Sequence, residues 1–168
     1  MILYLDTSAL VKLYAEEPGR QEVQDAVQEA RVVAVSEIGY VEARSALARK
    51  EREGLFSADE HDAAVEQLRR DFREVYLPRP VRGDVIARAG DLARKHALRA
   101  YDAAHLATAL ALREEVWELA KSSQETEELS PRENDKPRVA MMTFDGSLAK
   151  AAGNEGLDYS QQPSRGEP

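Results

Sequence analysis

The stretch ILYLDTSALVKLY, residues 2–14, decides the fold of this chain. Its first four residues form an apolar run typical of a buried strand, and the run ends on Asp6, followed by the hydroxyls of Thr7 and Ser8. A carboxylate at the inner end of a buried strand costs several kcal/mol unless something compensates its charge. The candidate partners are a helix N-terminus and a cation, and recurrence of the pattern elsewhere in the chain would favour the cation.

Composition limits the classes of protein that the chain can belong to. Its 168 residues suit one domain. The absence of cysteine excludes disulfides, thiolate zinc sites and a cysteine nucleophile. The first 14 residues are too short, and too interrupted by Asp6 and Lys12, to be a signal peptide or a membrane span. We therefore expect a cytoplasmic protein with no membrane partner.

The charge of the chain is unevenly distributed. Its formal net charge of −8 argues against a nonspecific nucleic-acid binder. Residues 44–99, however, carry 13 Lys and Arg against 10 Asp and Glu. This middle stretch is either a solvated mixed-charge surface or a phosphate-facing rim around an acidic centre, and both interpretations stay open.

Short apolar runs alternate with helical patterns along the chain. The predicted strands are 2–5, 32–35, a short one ended by Pro78, 138–144 and 156–159. The predicted helices are 7–17, 20–30, 37–53 capped by Ser36, 57–75 opened by the capping box SADE, 81–96, 101–120 and 147–152. Such alternation predicts an α/β fold, a three-layer α/β/α sandwich with a short central parallel sheet. One domain covers 1–160, with 121–137 as an acidic insertion or mobile loop and 161–168 as a disordered tail.

Four acidic residues occur at positions where ligands bind in such sheets. Asp6 and Asp145 each follow a strand, Asp102 begins an alanine-rich helix, and Glu42 lies on a largely apolar side of a helix. Taken singly, each aspartate is well explained as a helix N-cap, and Glu42 as a residue that reaches solvent or pairs with Arg49. Taken together, four anions at one edge of a sheet would repel each other and raise each other's pKa values.

A divalent cation makes such a group of acids tolerable. Ligands that are all oxygen favour a hard ion, Mg²⁺ or Mn²⁺. Water bound to such an ion is easier to deprotonate, and the ion neutralises charge that develops on a phosphoryl group. The four acids therefore predict a metal centre that hydrolyses phosphodiesters.

Four stretches carry a resemblance to a known family: LDTSALVKLY, VSEIGYVEARSAL, YDAAHLATAL and MTFDGSLAKAA. They resemble the PIN-domain ribonucleases, and most closely the VapC-type toxins of toxin–antitoxin pairs. The stretches occur in the family's order and span the chain from Ile2 to about Ala152. The acidic stretch 121–137 is longer than the family's usual connection at this point.

The resemblance implies a function and assigns roles to residues. It implies a Mg²⁺- or Mn²⁺-dependent endoribonuclease that forms a homodimer and is silenced by an antitoxin protein. The catalytic and metal-binding roles are carried over onto four acids, with the first two as direct ligands: Asp6, Asp102, Glu42 and Asp145. Ser8 and Thr143 match the polar positions beside them, where a hydroxyl orients a carboxylate or a bound water.

Five other polar residues are given structural interpretations. We expect Thr7 to cap the first helix, and His105 to be a histidine packed near the sheet rather than a base or ligand. Lys12 is interpreted as a solvated helix residue in preference to a phosphate ligand. His61 and His96 are expected at the surface.

Other functions fit parts of the same pattern. One is a PIN-fold nuclease of RNA processing without an antitoxin, and another is a catalytically silent module that binds RNA or protein. An aspartyl-phosphate phosphatase also places an aspartate at the end of its first strand, but that chemistry requires a second acid where Ser8 stands.

Overall fold

The computed structural model describes residues 1–124 and 138–160 and contains one sheet of five parallel strands. The strands are β1 (Ile2–Leu5), β2 (Val32–Ser36), β3 (Leu77–Arg79), β4 (Val139–Met142) and β5 (Asp158–Ser160). Their order is β3-β2-β1-β4-β5, and every neighbouring pair is parallel. The central strand is thus the one that leads to Asp6.

Helices cover both faces of this sheet. They are α1 (Thr7–Leu10), continued by a 3-10 turn (Val11–Leu13), α2 (Arg20–Glu29), α3 (Glu37–Arg52), α4 (Ala58–Glu74), α5 (Gly83–His96), α6 (Ala100–Gln124) and α7 (Gly146–Asn154). Tyr4 and Met141 face a core built with α5, α6 and α7. Leu3, Leu5 and Val33 face a second core built with α1, α3 and α4. The predicted three-layer α/β/α sandwich is confirmed.

Local signals placed the ends of α3 and α4 correctly. Ser36 caps α3 by accepting a hydrogen bond from the backbone N–H of Ile38. The predicted capping box is present, with the Ser57 side chain on the backbone of Glu60 and the Glu60 carboxylate on the backbone N–H of Ser57. These contacts involve residues at most three positions apart, which is why the sequence alone could predict them.

The first helix and β3 differ most clearly from their predictions, while β4 and β5 differ in their bounds. The first helix ends at Leu10 and a 3-10 turn follows. After this turn, the Tyr14 hydroxyl donates a hydrogen bond to Asp71 of α4 at 2.8 Å. Pro78 lies inside β3, paired with Val35, rather than after it. Proline is tolerated there because β3 is an edge strand.

Helix α6 extends into the predicted acidic insertion. The helix continues to Gln124, four residues past its predicted end. The remainder of that stretch, 125–137, and the predicted disordered tail, 161–168, lie outside the described residues. Within the described ranges, no helix combines the length and the apolarity needed to cross a bilayer.

Candidate active site

Asp6 lies at the carboxyl end of β1 and is the N-cap of α1. Its side chain is 4% exposed. Oδ1 accepts a hydrogen bond from the backbone N–H of Ala9 at 3.0 Å, and Oδ2 accepts one from the Thr143 hydroxyl at 2.7 Å. The Ser8 hydroxyl lies 2.8 and 3.0 Å from the two oxygens. Burial raises the pKa of the Asp6 carboxyl, and the nearby His105 and these hydrogen bonds oppose that rise.

The same hydroxyls tie the end of β1 to the segment after β4. Ser8 Oγ accepts a hydrogen bond from the backbone N–H of Phe144 at 2.8 Å. Thr143 Oγ1 accepts one from the backbone N–H of Asp145 at 3.0 Å. Asp145 in turn caps α7, since its Oδ1 accepts a hydrogen bond from the backbone N–H of Leu148 at 2.9 Å. Ser8 and Thr143 therefore link two of the predicted site aspartates through hydrogen bonds.

Asp102 stands in the first turn of α6 and is partly exposed. Burial and the negative charges of Asp145 and Asp6 raise the pKa of its carboxyl, against the opposing effect of Arg99 and His105. Among the residues that the structure describes, none makes a hydrogen bond or an ion pair with this carboxylate. Asp102 thus lies near enough to Asp145 and Asp6 to be repelled by both, and it has no compensating hydrogen bond from the described residues.

Glu42 is engaged with other partners. Its Oε2 accepts a hydrogen bond from the Thr7 hydroxyl at 2.7 Å and lies 2.8 Å from His105 Nε2. Burial raises the pKa of the Glu42 carboxyl, but the contacts with His105 and Thr7 outweigh burial and hold it below its usual value. The interpretation of Glu42 as a partner of Arg49 is wrong, because its carboxylate contacts Thr7 and His105 instead. The interpretation of Thr7 as a helix cap is also wrong, because the Asp6 side chain caps α1.

His105 connects Glu42 to the sheet. It is 2% exposed, which confirms the prediction of a histidine packed near the sheet. Its Nδ1 lies 2.9 Å from the Tyr4 hydroxyl, whose pKa is raised by burial. Its Nε2 lies 2.8 Å from Glu42 Oε2 and 3.0 Å from the Thr7 hydroxyl oxygen. This Tyr4–His105–Glu42 chain was not predicted, and the only signal for it in the sequence is the position of His105 one turn after Asp102.

Two further predictions about polar residues are wrong. Lys12 is not solvated: its Nζ donates to the carbonyl of Pro18 at 2.7 Å and lies 4.4 Å from the centre of the Phe144 ring. The side chains of His61 and His96 are 15% and 9% exposed, so neither is a surface position. In each case a partner distant in sequence or on another element covers the side chain.

The donor chemistry of the site fits a hard divalent cation, because carboxylates and hydroxyls supply only oxygen. The mutual repulsion that raises the pKa of Asp102 is the effect that such a cation would relieve. Within residues 1–124 and 138–160, however, no three His, Asp or Glu side chains are grouped so that they could hold a metal ion together. The residue types fit the ion, whereas their side-chain positions in this structure do not surround a common point.

Known proteins are similar to this chain in sequence. A family model described as PIN domain matches residues 3–154. The chain belongs to the PIN domain family. Two similar relatives, ribonuclease VapC45 of Mycobacterium tuberculosis strain CDC 1551 and ribonuclease VapC49 of strain H37Rv, are each 37% identical to it over 111 residues, 66% of this chain and 76% of each relative. Ribonuclease VapC3 of Pyrobaculum aerophilum is 30% identical over 109 residues, 65% of this chain and 82% of the relative.

Solved structures share the fold of this PIN domain. FitAB bound to a DNA fragment superposes with a TM-score of 0.63 at 17% identity, covering 99% of this chain and all of that one. VapC20 of Mycobacterium tuberculosis, described as a sarcin-ricin loop cleaving toxin, gives 0.58 at 16% identity, covering 89% of this chain and 94% of that one. At such identities the likeness concerns the fold, and it agrees with the order of elements found here.

Proposed function

We propose that this PIN domain is a Mg²⁺- or Mn²⁺-dependent endoribonuclease and the toxin of a VapBC-type toxin–antitoxin pair. The observation that carries the proposal is that Asp6 and Asp145, which are joined through the Thr143 hydroxyl, both lie close enough to Asp102 of α6 to repel its carboxylate. The similarity to relatives named ribonuclease VapC supports the choice of RNA as the substrate.

The acids take the roles that the sequence predicts. Asp6 and Asp102 are the direct ligands of the metal, with Asp145 and Glu42 as the other acidic members of the site. Ser8 and Thr143 hold the Asp6 carboxylate in place through the hydrogen bonds described above. When bound, the ion neutralises charge on the phosphate and lowers the pKa of a coordinated water.

The reaction is the addition of water to one RNA phosphodiester. The water oxygen forms a bond to phosphorus and the bond from phosphorus to O3′ breaks. O3′ leaves as a hydroxyl after it takes a proton, and the phosphate stays on the 5′ end of the other fragment. Asp102 is suited to orient the attacking water, because its carboxylate accepts no hydrogen bond from any described residue.

Cleavage of an RNA by purified protein tests the proposal. We expect Asp6→Asn to reduce the cleavage rate in Mg²⁺ at least about a hundredfold, since substitutions of residues that merely orient metal ligands already cost ten- to a hundredfold. EDTA should abolish the wild-type activity. Asp25→Asn is the matched control, because Asp25 is an exposed acid on α2 whose side chain contacts Gln21. Full activity of Asp6→Asn would refute the assignment.

The proposed partners are an antitoxin protein and a second copy of the chain, in the cytoplasm. Expression in cells tests the toxin role: the wild type should arrest growth, Asp6→Asn should not, and co-expression of a protein encoded directly upstream should restore growth. Growth arrest that no such protein relieves would indicate an RNA-processing nuclease without an antitoxin.

A catalytically silent binding module is the second candidate. The observation in its favour is that the described residues contain no group of three acids or histidines arranged around one ion. Calorimetric titration with Mn²⁺ separates the two candidates. A nuclease should bind the ion with an affinity that Asp102→Asn weakens, whereas a silent module with capped acids should show no such site.

A further inference from the structure

A polar cleft lies between the end of α5 and α7. It has a volume of about 410 Å³, and five polar side chains line it: Lys95, His96, Ser147, Lys150 and Asn154. Among the described residues, no acidic side chain lines the cleft. We refer to it as the α5–α7 cleft.

The cleft begins close to Asp145 of the candidate site. Ser147 is two residues after Asp145 and belongs to the first turn of α7, and Asn154 is the last residue of that helix. The distance along the helix from Ser147 to Asn154 is about 10 Å at 1.5 Å per residue. The α5–α7 cleft therefore begins beside the candidate site and leads away from it along α7.

The charges around the cleft favour an anion. Lys95 Nζ and His96 Nε2 lie 2.7 and 2.6 Å from the same oxygen of Glu155. Lys150 is exposed and makes no ion pair with any described residue. Arg113 donates hydrogen bonds to the backbone carbonyls of Glu155 and Gly156. Lys95, Lys150 and Arg113 thus accompany one carboxylate, that of Glu155, which leaves an excess of positive charge.

We propose that the α5–α7 cleft binds backbone phosphates of the RNA strand adjacent to the bond that is cleaved. This inference rests on the proposed function and adds to it a surface that holds the substrate. The carboxylates of the site repel a polyanion, and the chain as a whole has a net charge of −8. A strand can lie across such a site only if cations beside it bind the neighbouring phosphates, and Lys95 and Lys150 are the cations placed there.

Phosphate contacts of this kind should affect both the affinity for RNA and the dependence of that affinity on salt. Phosphate contacts add affinity without sequence preference, and each one steepens the dependence of binding on salt. For a single strand, the slope of log K against log salt changes by about 0.7 per contact. Loss of two contacts should therefore reduce the slope by about 1.4 and, at 0.1 M salt, weaken binding about 25-fold.

The test is a binding titration of a fluorescent ten-nucleotide RNA in EDTA, which prevents cleavage. The double variant Lys95→Ala, Lys150→Ala should show the loss of affinity and the smaller slope, for two RNAs of unrelated sequence alike. Lys121→Ala is the matched control, because Lys121 lies near the end of α6, over Trp117 and beside Glu118. In Mg²⁺, the double variant should raise KM while kcat stays near the wild-type value.

The outcomes separate this inference from the proposed function. If the wild type cleaves RNA and the double variant keeps its affinity and salt slope, the inference is overturned and an acidic protein partner becomes the candidate for the cleft. If the wild type binds RNA in EDTA with the predicted loss in the variant but does not cleave in Mg²⁺, the inference stands and the nuclease proposal fails. A wild type that does not bind RNA overturns the inference.

Discussion

Replacing Asp102 with asparagine should make the metal-free protein more stable while it removes metal binding. The carboxylate is repelled by Asp145 and Asp6 and attracted by Arg99 and His105. The substitution breaks no hydrogen bond to any described residue. Because Asp102 is partly exposed, solvent screens these charges, and we expect a net gain of about 0.5–1 kcal/mol in the free energy of unfolding at pH 7.

The gain should depend on pH in a defined direction. Burial, together with the charges of Asp145 and Asp6, raises the native pKa of Asp102 above its unfolded value of about 3.9. Below that value the carboxyl is protonated in both states, so the variant and the wild type should be equally stable. As pH rises through the raised native pKa, the wild type loses stability relative to the variant. The difference between the two proteins should therefore open above about pH 4.

Urea denaturation of both proteins at several pH values, in EDTA and in Mg²⁺, measures these effects. An ion present at a hundred times its dissociation constant stabilises the protein that binds it by about 2.7 kcal/mol. The wild type should gain stability in this way and Asp102→Asn should not, while Asp25→Asn should behave as the wild type. A variant that is less stable than the wild type in EDTA at pH 7 would refute the argument from repulsion. A variant that keeps the full effect of Mg²⁺ would show that Asp102 is not a ligand.

Substitutions at Thr143 and at Ala97, each with a control variant, test the local structure around the site and the cleft. Thr143→Val removes the buried donor to Asp6 Oδ2 and the partly buried acceptor of the Asp145 N–H, and it should lower the free energy of unfolding by about 2–3 kcal/mol. Thr143→Ser keeps the hydroxyl and should cost about 1 kcal/mol. Equal losses in urea denaturation would show that the hydroxyl is not what matters. Ala97 has φ +53°, which strains an L residue by about 1–2 kcal/mol. Ala97→Gly should therefore raise the melting temperature slightly even after the entropy cost of glycine, and Ala93→Gly inside α5 should lower it; the reverse order would contradict the strain.

The fold could be predicted from the sequence because its signals are local. The strands β1 and β4 are apolar at every position, and β2 is apolar up to its last residue, Ser36, as expected for strands covered on both faces. The caps at Ser36 and Ser57 involve neighbours in the chain. Since all strands are parallel, the residues that follow β1 and β4 had to meet at one edge, which is why Asp6 and Asp145 could be placed together.

The contacts of Glu42 could not be predicted in the same way. Helical spacing placed Glu42 on an inward side of α3, and that is where it lies. Which group it meets there depends on how α3 and α6 are rotated and set relative to β1, and no local pattern specifies that rotation. The contacts of Lys12 also depend on tertiary structure. The loop after the 3-10 turn places the Pro18 carbonyl beside Lys12 Nζ, and the segment after β4 places the Phe144 ring there.

Capping and metal binding are alternative roles for the aspartates in the sequence, and the structure makes the two roles compatible at Asp6. A carboxylate has two oxygens and about four sites for hydrogen bonds. The protein already supplies Asp6 with the N–H of Ala9 and the hydroxyls of Ser8 and Thr143, which hold its charge and its orientation without an ion. Asp102 receives no such donor from the described residues, and its pKa is raised by its acidic neighbours. An ion that binds here would therefore find Asp6 already positioned, and the main gain in free energy would come from relieving the repulsion at Asp102.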